Sequence, residues 1–277
     1  MKNRICLVTG GTSGVGRATA TGLAELGATV ILVSSSAQRG NTAVENMKRR
    51  TGNENIHFRK LDLGDLASIY EFAVQFKKDF DALHVLSNNA AVLPLKRELT
   101  ADGFERIFGI NYLGHFALTN LLLDLLKSSA PSRVLSVSGN PWLLSKGKIE
   151  LDDINSDQSF NPFKATFRSA VAKVAFSFEL SKRIAGSGVT SNTFHPGLVK
   201  THLTQNFPGV IRVMLGLGQL FFSEDCRNSI YLASSPDVEK VSGKFFKNKT
   251  IVSFNPKPSF ERDAASLWDM SAKLANL

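Results

Sequence analysis

Thr9-Gly10-Gly11-Thr12-Ser13-Gly14-Val15-Gly16-Arg17 is the stretch that decides how this chain folds. It follows the apolar run Ile5-Cys6-Leu7-Val8 and leads into the helical pattern of residues 16–26, so the order is strand, glycine-rich turn, helix. That order presents the open amides of a helix N-terminus, and phosphate is the group such amides hold best. Gly10 permits the tight turn, Gly14 lets backbone approach a pyrophosphate, and Gly16 lets helix lie against strand. A glycine triplet alone is common in loops. Its place behind the first strand makes it a dinucleotide-type signal.

Five further apolar runs, at residues 30–33, 57–61, 83–87, 133–137 and 190–194, alternate with helix-period stretches at 66–76, 103–126 and 166–184. Strands separated by helical crossovers pair in parallel with right-handed connections. The expected architecture is therefore α/β, a doubly wound parallel sheet forming a single domain over residues 1–277. Its dinucleotide-binding half covers residues 1–140, and the irregular stretches 140–162 and 200–224 are expected to cover the site as substrate loops.

Composition removes several function classes. Cys6 and Cys226 are far apart and the five histidines, at 57, 84, 115, 195 and 202, lack ligand spacing, so neither a disulfide framework nor a metal is expected. The formal charge of +9 favours an anionic partner, whether nucleic acid, a membrane surface or an anionic cofactor. The densest cluster, Lys48-Arg49-Arg50, ends a helix, where cations meet the negative end of the dipole, so nucleic acid is not expected. With no charged-then-apolar leader and no run long enough to span a bilayer, a cytoplasmic protein is expected. The apolar stretch 207–222 reads as a lid over a hydrophobic pocket, its alternative being peripheral contact with a membrane or partner.

The spacing Thr-Gly-x-x-x-Gly-x-Gly resembles the short-chain dehydrogenase/reductase family, whose fold is the Rossmann type, and further matches follow along essentially the whole chain. Asp62 in Leu61-Asp62-Leu63 resembles the adenine-side aspartate, Asn88-Asn89-Ala90-Ala91 the strand end, Asn111 the helix asparagine, and Ser242-Gly243-Lys244-Phe245-Phe246 the last strand. His195-Pro196-Gly197-Leu198-Val199-Lys200-Thr201 is similar to the loop on the nicotinamide side. Asn111-Tyr112-Leu113-Gly114-His115-Phe116 and Leu267-Trp268-Asp269-Met270-Ser271 resemble the retinol-dehydrogenase-like branch, which acts on hydrophobic alcohols and carbonyls. The resemblance implies a cofactor cradle of Gly10, Thr12, Ser13, Gly14, Val15, Gly16, Ser35, Asp62, Leu63, Asn89, Ala90, Pro196, Gly197, Val199 and Thr201. It also implies a hydrophobic small-molecule ligand and a homo-oligomer. After the second strand the sequence reads Ser34-Ser35-Ser36, and Ser35 stands where the branch places an arginine for the 2′-phosphate. Arg17 and Arg39 are near and no carboxylate intrudes, so NADP(H) is expected before NAD(H), with loss of nucleotide affinity the alternative.

The resemblance fails at the proton-transfer residues. Counting from Asn111 puts the family serine on Gly139, and counting back from His195 puts the tyrosine on Thr166 and the lysine on Ala170. Shifting the register to make Lys173 the lysine would spoil the match at Ser169, and Lys173 reads as an ordinary solvated side chain. Asn111 and Thr166 are the remaining catalytic candidates, with His115 and His195 as replacement acid or base. Asn140-Pro141-Trp142-Leu143-Leu144 is expected to line the same cavity. Three functions stay open. The leading one is a repurposed pocket for iminium reduction, isomerisation or cyclisation of a hydrophobic molecule. The others are a catalytically dead binding or regulatory pseudoenzyme, and an NADP-dependent oxidoreductase on hydrophobic alcohols or carbonyls with relocated catalytic groups.

Overall fold

Period-two alternation along each strand builds two cores on one sheet. In the computed structural model, which describes residues 1–197 and 226–277, β1 (Ile5–Thr9) sends Leu7 into one apolar layer and Cys6 and Val8 into the other. β2 (Thr29–Ser34) divides Ile31 and Val33 from Val30 and Leu32 in the same way, and β5 (Ser132–Val137) divides Val134 from Leu135 and Val137. Strands covered on both faces read as unbroken apolar runs, which is why these were legible. β3 (Ile56–Lys60), with His57, Arg59 and Lys60 exposed, forms an edge.

Among the described residues the sheet has eight strands in the order β3-β2-β1-β4-β5-β6-β7-β8. β1 to β7 run parallel, with Leu7 opposite Ile31 on β2 and Leu86 on β4 (Val85–Asn88). Beyond β5 come β6 (Val189–Phe194), β7 (Phe245–Lys247) and the antiparallel β8 (Thr250–Val252). On one face lie α1 (Gly14–Glu25), α2 (Ala37–Thr51) and α9 (Arg227–Ser234), and on the other α3 (Leu66–Asp79), α5 (Gly114–Leu121), α8 (Pro162–Arg183) and α10 (Phe260–Leu274). The chain reverses its direction of travel across the sheet between β1 and β4, so the connections part there and open a crevice at the carboxyl ends of the strands.

Four elements differ from the sequence reading. The helix expected over 103–126 is broken into α4 (Arg106–Phe108), a π turn at Gly109–Leu113, α5, and α6 (Leu123–Ser128). The Asn111 amide sits in that π turn and bonds Val92, while Gly114 lies so close to Leu63 that a Cβ would stand 2.3 Å from its carbonyl oxygen. β8 escapes notice because it is three residues long, returned from β7 through Asn248 and Lys249 at φ 51° and 64°. α7 (Pro141–Leu144) and α10 form inside stretches without a clean helical signal. α10 is held by packing Phe260, Ala264 and Leu267 into the core that contains α8. No helix among the described residues is long and apolar enough to cross a membrane.

Candidate active site

A cleft of about 1330 Å³ follows the switch point between β1 and β4. Thr12, Ser13, Gly14, Val15, Gly16 and Arg17 wall one part, with Ser34, Ser35 and Arg39 beside them. Gly10, Asp62, Leu63, Asn89 and Ala90 form its middle, and Asn111, Ser138, Gly139, Thr166, Ala170, Lys173 and Pro196 its far end. Most of the cofactor cradle expected from sequence therefore shares one wall. Gly197 is absent from the lining and donates its amide to His195 Nδ1 at 2.8 Å. Val199, Thr201, the loop 200–224 and the apolar stretch 207–222 lie outside the described residues.

The turn has the strain and closeness that demand glycine. Gly10 has φ +64°, and a Cβ there would stand 2.9 Å from Ala90 Cα. A Cβ on Gly16 would stand 2.4 Å from the Gly10 carbonyl oxygen, so the helix can approach β1 only with glycine at this point. Ser13, at the N-cap of α1, makes no side-chain cap bond, which leaves the first-turn amides to a ligand or solvent. Thr9 ties the strand ends together, its hydroxyl oxygen accepting the amides of Asn89 at 2.8 Å and Ala90 at 3.0 Å. Asn89 Oδ1 is buried without a hydrogen-bond partner, although its Nδ2 donates to the Ser87 carbonyl and hydroxyl. Such an acceptor costs about 1–3 kcal/mol until a donor arrives. An uncapped helix start and an orphaned acceptor on one wall fit a dinucleotide with its phosphates at α1. Asp62 is held in place by the Gly64 amide on Oδ1 at 2.9 Å. Arg17 and Arg39 form no ion pair among the described residues.

At the positions counted for proton transfer the far end holds Gly139, Thr166 and Ala170. Thr166 Oγ1 is buried and unpartnered, Ser169 Oγ donates to the Thr166 carbonyl at 2.8 Å, and Ser138 Oγ to the Ala170 carbonyl at 2.9 Å. Gly139 has room for a side chain, since a Cβ would meet only Leu144, at an ordinary 3.6 Å. Trp142 and Leu143 do not line the cavity as expected: α7 turns them outward, 64% and 49% exposed, and buries Leu144.

Two of the sequence candidates take structural roles. The Asn111 side chain spends both its groups on Val92, accepting its amide at 2.7 Å and donating to its carbonyl at 3.1 Å, so it pins the loop after β4. His115 is 1% exposed with Nδ1 3.2 Å from the Asn111 carbonyl, so Nδ1 carries the proton and bare Nε2 accepts the Thr9 hydroxyl at 2.9 Å. Burial, aided by Lys173, lowers its pKa to about 3. A group that stays neutral there cannot serve as the replacement acid. His195 is also held below its ordinary pKa, by burial and then by Lys247, and it is not part of the cleft wall.

Lys173 reverses the sequence reading. Far from being solvated, it is 5% exposed on the cleft wall, and burial lowers its amine from 10.5 to about 8. It makes no hydrogen bond or ion pair among the described residues. Thr166, Ser169, Ala170 and Lys173 fall at i, i+3, i+4 and i+7 on α8, one face of the helix. That spacing was the available signal, because the flanking Val171, Ala172, Val174 and Ala175 are all core.

Comparison with known proteins agrees with this geometry. The short chain dehydrogenase family profile matches residues 4–141. Retinol dehydrogenase 14 of Homo sapiens is 40% identical over 296 residues, covering 100% of this chain and 88% of that protein. Retinol dehydrogenase 13 of Mus musculus is 40% identical over 283 residues, covering 98% and 83%. Among solved structures, an uncharacterized protein from Mycobacterium paratuberculosis superposes with TM-score 0.78 at 31% identity, over 99% of this chain and 94% of that one. The RhlG/NADP complex of Pseudomonas aeruginosa, with TM-score 0.69 at 22% identity over 89% and 94%, shares the fold. Strand order, glycine turn and full-length similarity to these relatives agree, and the chain belongs to the short chain dehydrogenase family, in its retinol-dehydrogenase-like branch.

Proposed function

We propose that the cleft binds a nicotinamide dinucleotide, NADP(H) in preference to NAD(H), beside a hydrophobic small molecule, and supports a reaction that takes no proton from residue 166. One observation carries this reading: the phosphate end of the cleft keeps close backbone approaches at Gly10 and Gly16 that exclude a side chain, while its reacting end holds Thr166, Ala170 and Gly139. The bound nicotinamide would supply or accept hydride. Thr166 can only hydrogen-bond, because an aliphatic hydroxyl ionises far above the phenolic pKa of about 10. Without its usual acid the reaction forfeits roughly a hundred- to ten-thousand-fold.

Arg17, Arg39 and the hydroxyls of Ser34 and Ser35 favour a 2′-phosphate, since two cations without ion-pair partners among the described residues gain most from a dianion. Val92, Leu93, Pro94 and Ile110, apolar residues on the cleft wall, favour an apolar ligand beside the nucleotide. The two relatives named retinol dehydrogenase point the same way. The amine of Lys173 selects among the reactions. An iminium cation beside a second, buried cation is disfavoured by like-charge repulsion. A neutral acceptor that develops negative charge on oxygen is favoured instead.

Fluorescence titration with NADPH and NADH tests the nucleotide half of the reading, and NADPH is expected to bind at least tenfold tighter. For the other half, the variant carrying Gly139→Ser, Thr166→Tyr and Ala170→Lys should gain reductase activity on hydrophobic aldehydes. If the wild-type protein binds neither nucleotide, the reading is wrong.

A further inference from the structure

We propose that Lys173 is the proton-transfer group of this cleft, exchanging its ammonium proton with the oxygen of a neutral carbonyl or alcohol substrate. This rests on the cleft holding a nicotinamide dinucleotide, and it names the substrate class for that reading. The placement carries the inference. Lys173 shares the cleft face of α8 with Thr166 and Ala170. Long helical side chains lean toward the helix N-terminus, over the preceding turn. The stem of Lys173 therefore points over the turn where Ala170 leaves room that a lysine at that position would fill. Replacing the side chain at 170 with a methyl group and burying an amine three residues on keep one amine at this end of the cleft, displaced by about one turn.

Among the described residues, no carboxylate pairs with that amine. From α5 it faces neutral His115, and Asn89 and Ser138, which follow β4 and β5 on the cleft wall, carry no charge. On α4, Glu105 accepts the Ile107 and Phe108 amides and Arg106 pairs with Glu98 at 3.0 Å. Glu150 pairs with Lys164 and Arg168, while Lys146 of the segment after α7 sits over the Trp142 ring. The acids of α10 are paired as well: Glu261 with Lys182, Asp269 with Arg183, and Asp263 with Arg262. Asp62, the other cleft carboxylate, holds Gly64. An uncompensated buried cation is costly, and such groups concentrate where chemistry uses them.

The chemistry balances. The nicotinamide, when bound, would supply hydride to the carbonyl carbon. With the C=O π pair moved to oxygen, the Lys173 ammonium would give that oxygen its proton and become a neutral amine, which water in the open cleft would reprotonate. Alcohol oxidation runs the same transfers backward. With an amine near pH 8 the ammonium is a stronger acid than a phenol and is still mostly protonated at neutral pH.

The experiment joins three measurements on the full chain. Competitive acetylation between pH 6 and 11, read by mass spectrometry of the Lys173 peptide, should give a midpoint near pH 8 and several-fold protection by NADPH. NADPH-dependent reduction of 4-nitrobenzaldehyde and decanal should fall at least a hundredfold in Lys173→Gln and in Lys173→Met. Titration and melting should show both variants folded and binding NADPH as the wild type does. A midpoint above pH 10, turnover retained by both folded variants, or no turnover by wild-type protein with NADPH bound would each overturn the proposal. Failure of the wild type to bind NADPH would instead remove the reading it rests on.

Discussion

Replacing Lys173 with methionine should make the protein more stable, and by an amount that depends on pH. The amine titrates at about 8 in the fold against an ordinary 10.5, so the folded chain holds this proton less tightly than the unfolded chain. Below pH 8 both states are charged and the fold bears the whole cost of burying the ammonium. Between pH 8 and 10.5 the unfolded chain holds more protons, and stability of the wild type rises with pH through that window. At about 1.4 kcal/mol per pH unit the drop amounts to about 3 kcal/mol. Methionine keeps the length and the apolar stem and deletes the charge, so Lys173→Met should gain about 3 kcal/mol at pH 7 and little at pH 10.5. For a chain of this size that gain raises the melting temperature by roughly 6 °C. Urea unfolding of both proteins at pH 7 and pH 10.5 measures the difference directly, and other lysines cancel in the comparison. An equal gain at both pH values, or none at pH 7, refutes the claim that an uncompensated ammonium lies on this wall.

Other outcomes follow from particular contacts. Gly16→Ala places a Cβ 2.4 Å from the Gly10 carbonyl, and calorimetry should show a lower melting temperature together with lost NADPH binding. Thr9→Val strips the acceptor from the buried Asn89 amide and the partly buried Ala90 amide and the donor from His115, which should cost about 2–4 kcal/mol in urea unfolding. A Cβ at Gly139 stands no nearer than 3.6 Å to a neighbour, so the stability of Gly139→Ser in urea unfolding should stay within about 0.5 kcal/mol of wild type. Removing Arg17 and Arg39 together should weaken NADPH at least tenfold and leave NADH unchanged, as read by parallel titrations.

The dinucleotide half of the fold was legible because its requirements are local. Gly10, Gly14 and Gly16 serve backbone geometry within a few residues of each other, and strands covered on both faces announce themselves as apolar runs. The residues at the positions counted for proton transfer were legible for the same reason, since Gly139, Thr166 and Ala170 stand at fixed distances from neighbouring landmarks. Short elements were not: β8 exists only because β7 offers it a partner, and α10 because α8 offers it a core. The single expected helix over 103–126 is divided because Asn111 bonds a loop nineteen residues earlier in the chain, a contact that no local pattern encodes.

Residue types along the chain determined what chemistry is unavailable, because no neighbour can make threonine a phenol or give alanine an amine. What each remaining side chain does was decided by tertiary structure. His115 and Asn111 looked like reagents and are held as struts by Thr9 and Val92, whereas Lys173 looked like a surface cation and is enclosed on the cleft wall. A titratable group's function depends on its solvation and partners, and those come from elements distant in sequence. The turn at residues 9–17 specified its own shape, but only the packing of α8 against the sheet could place a buried amine opposite it.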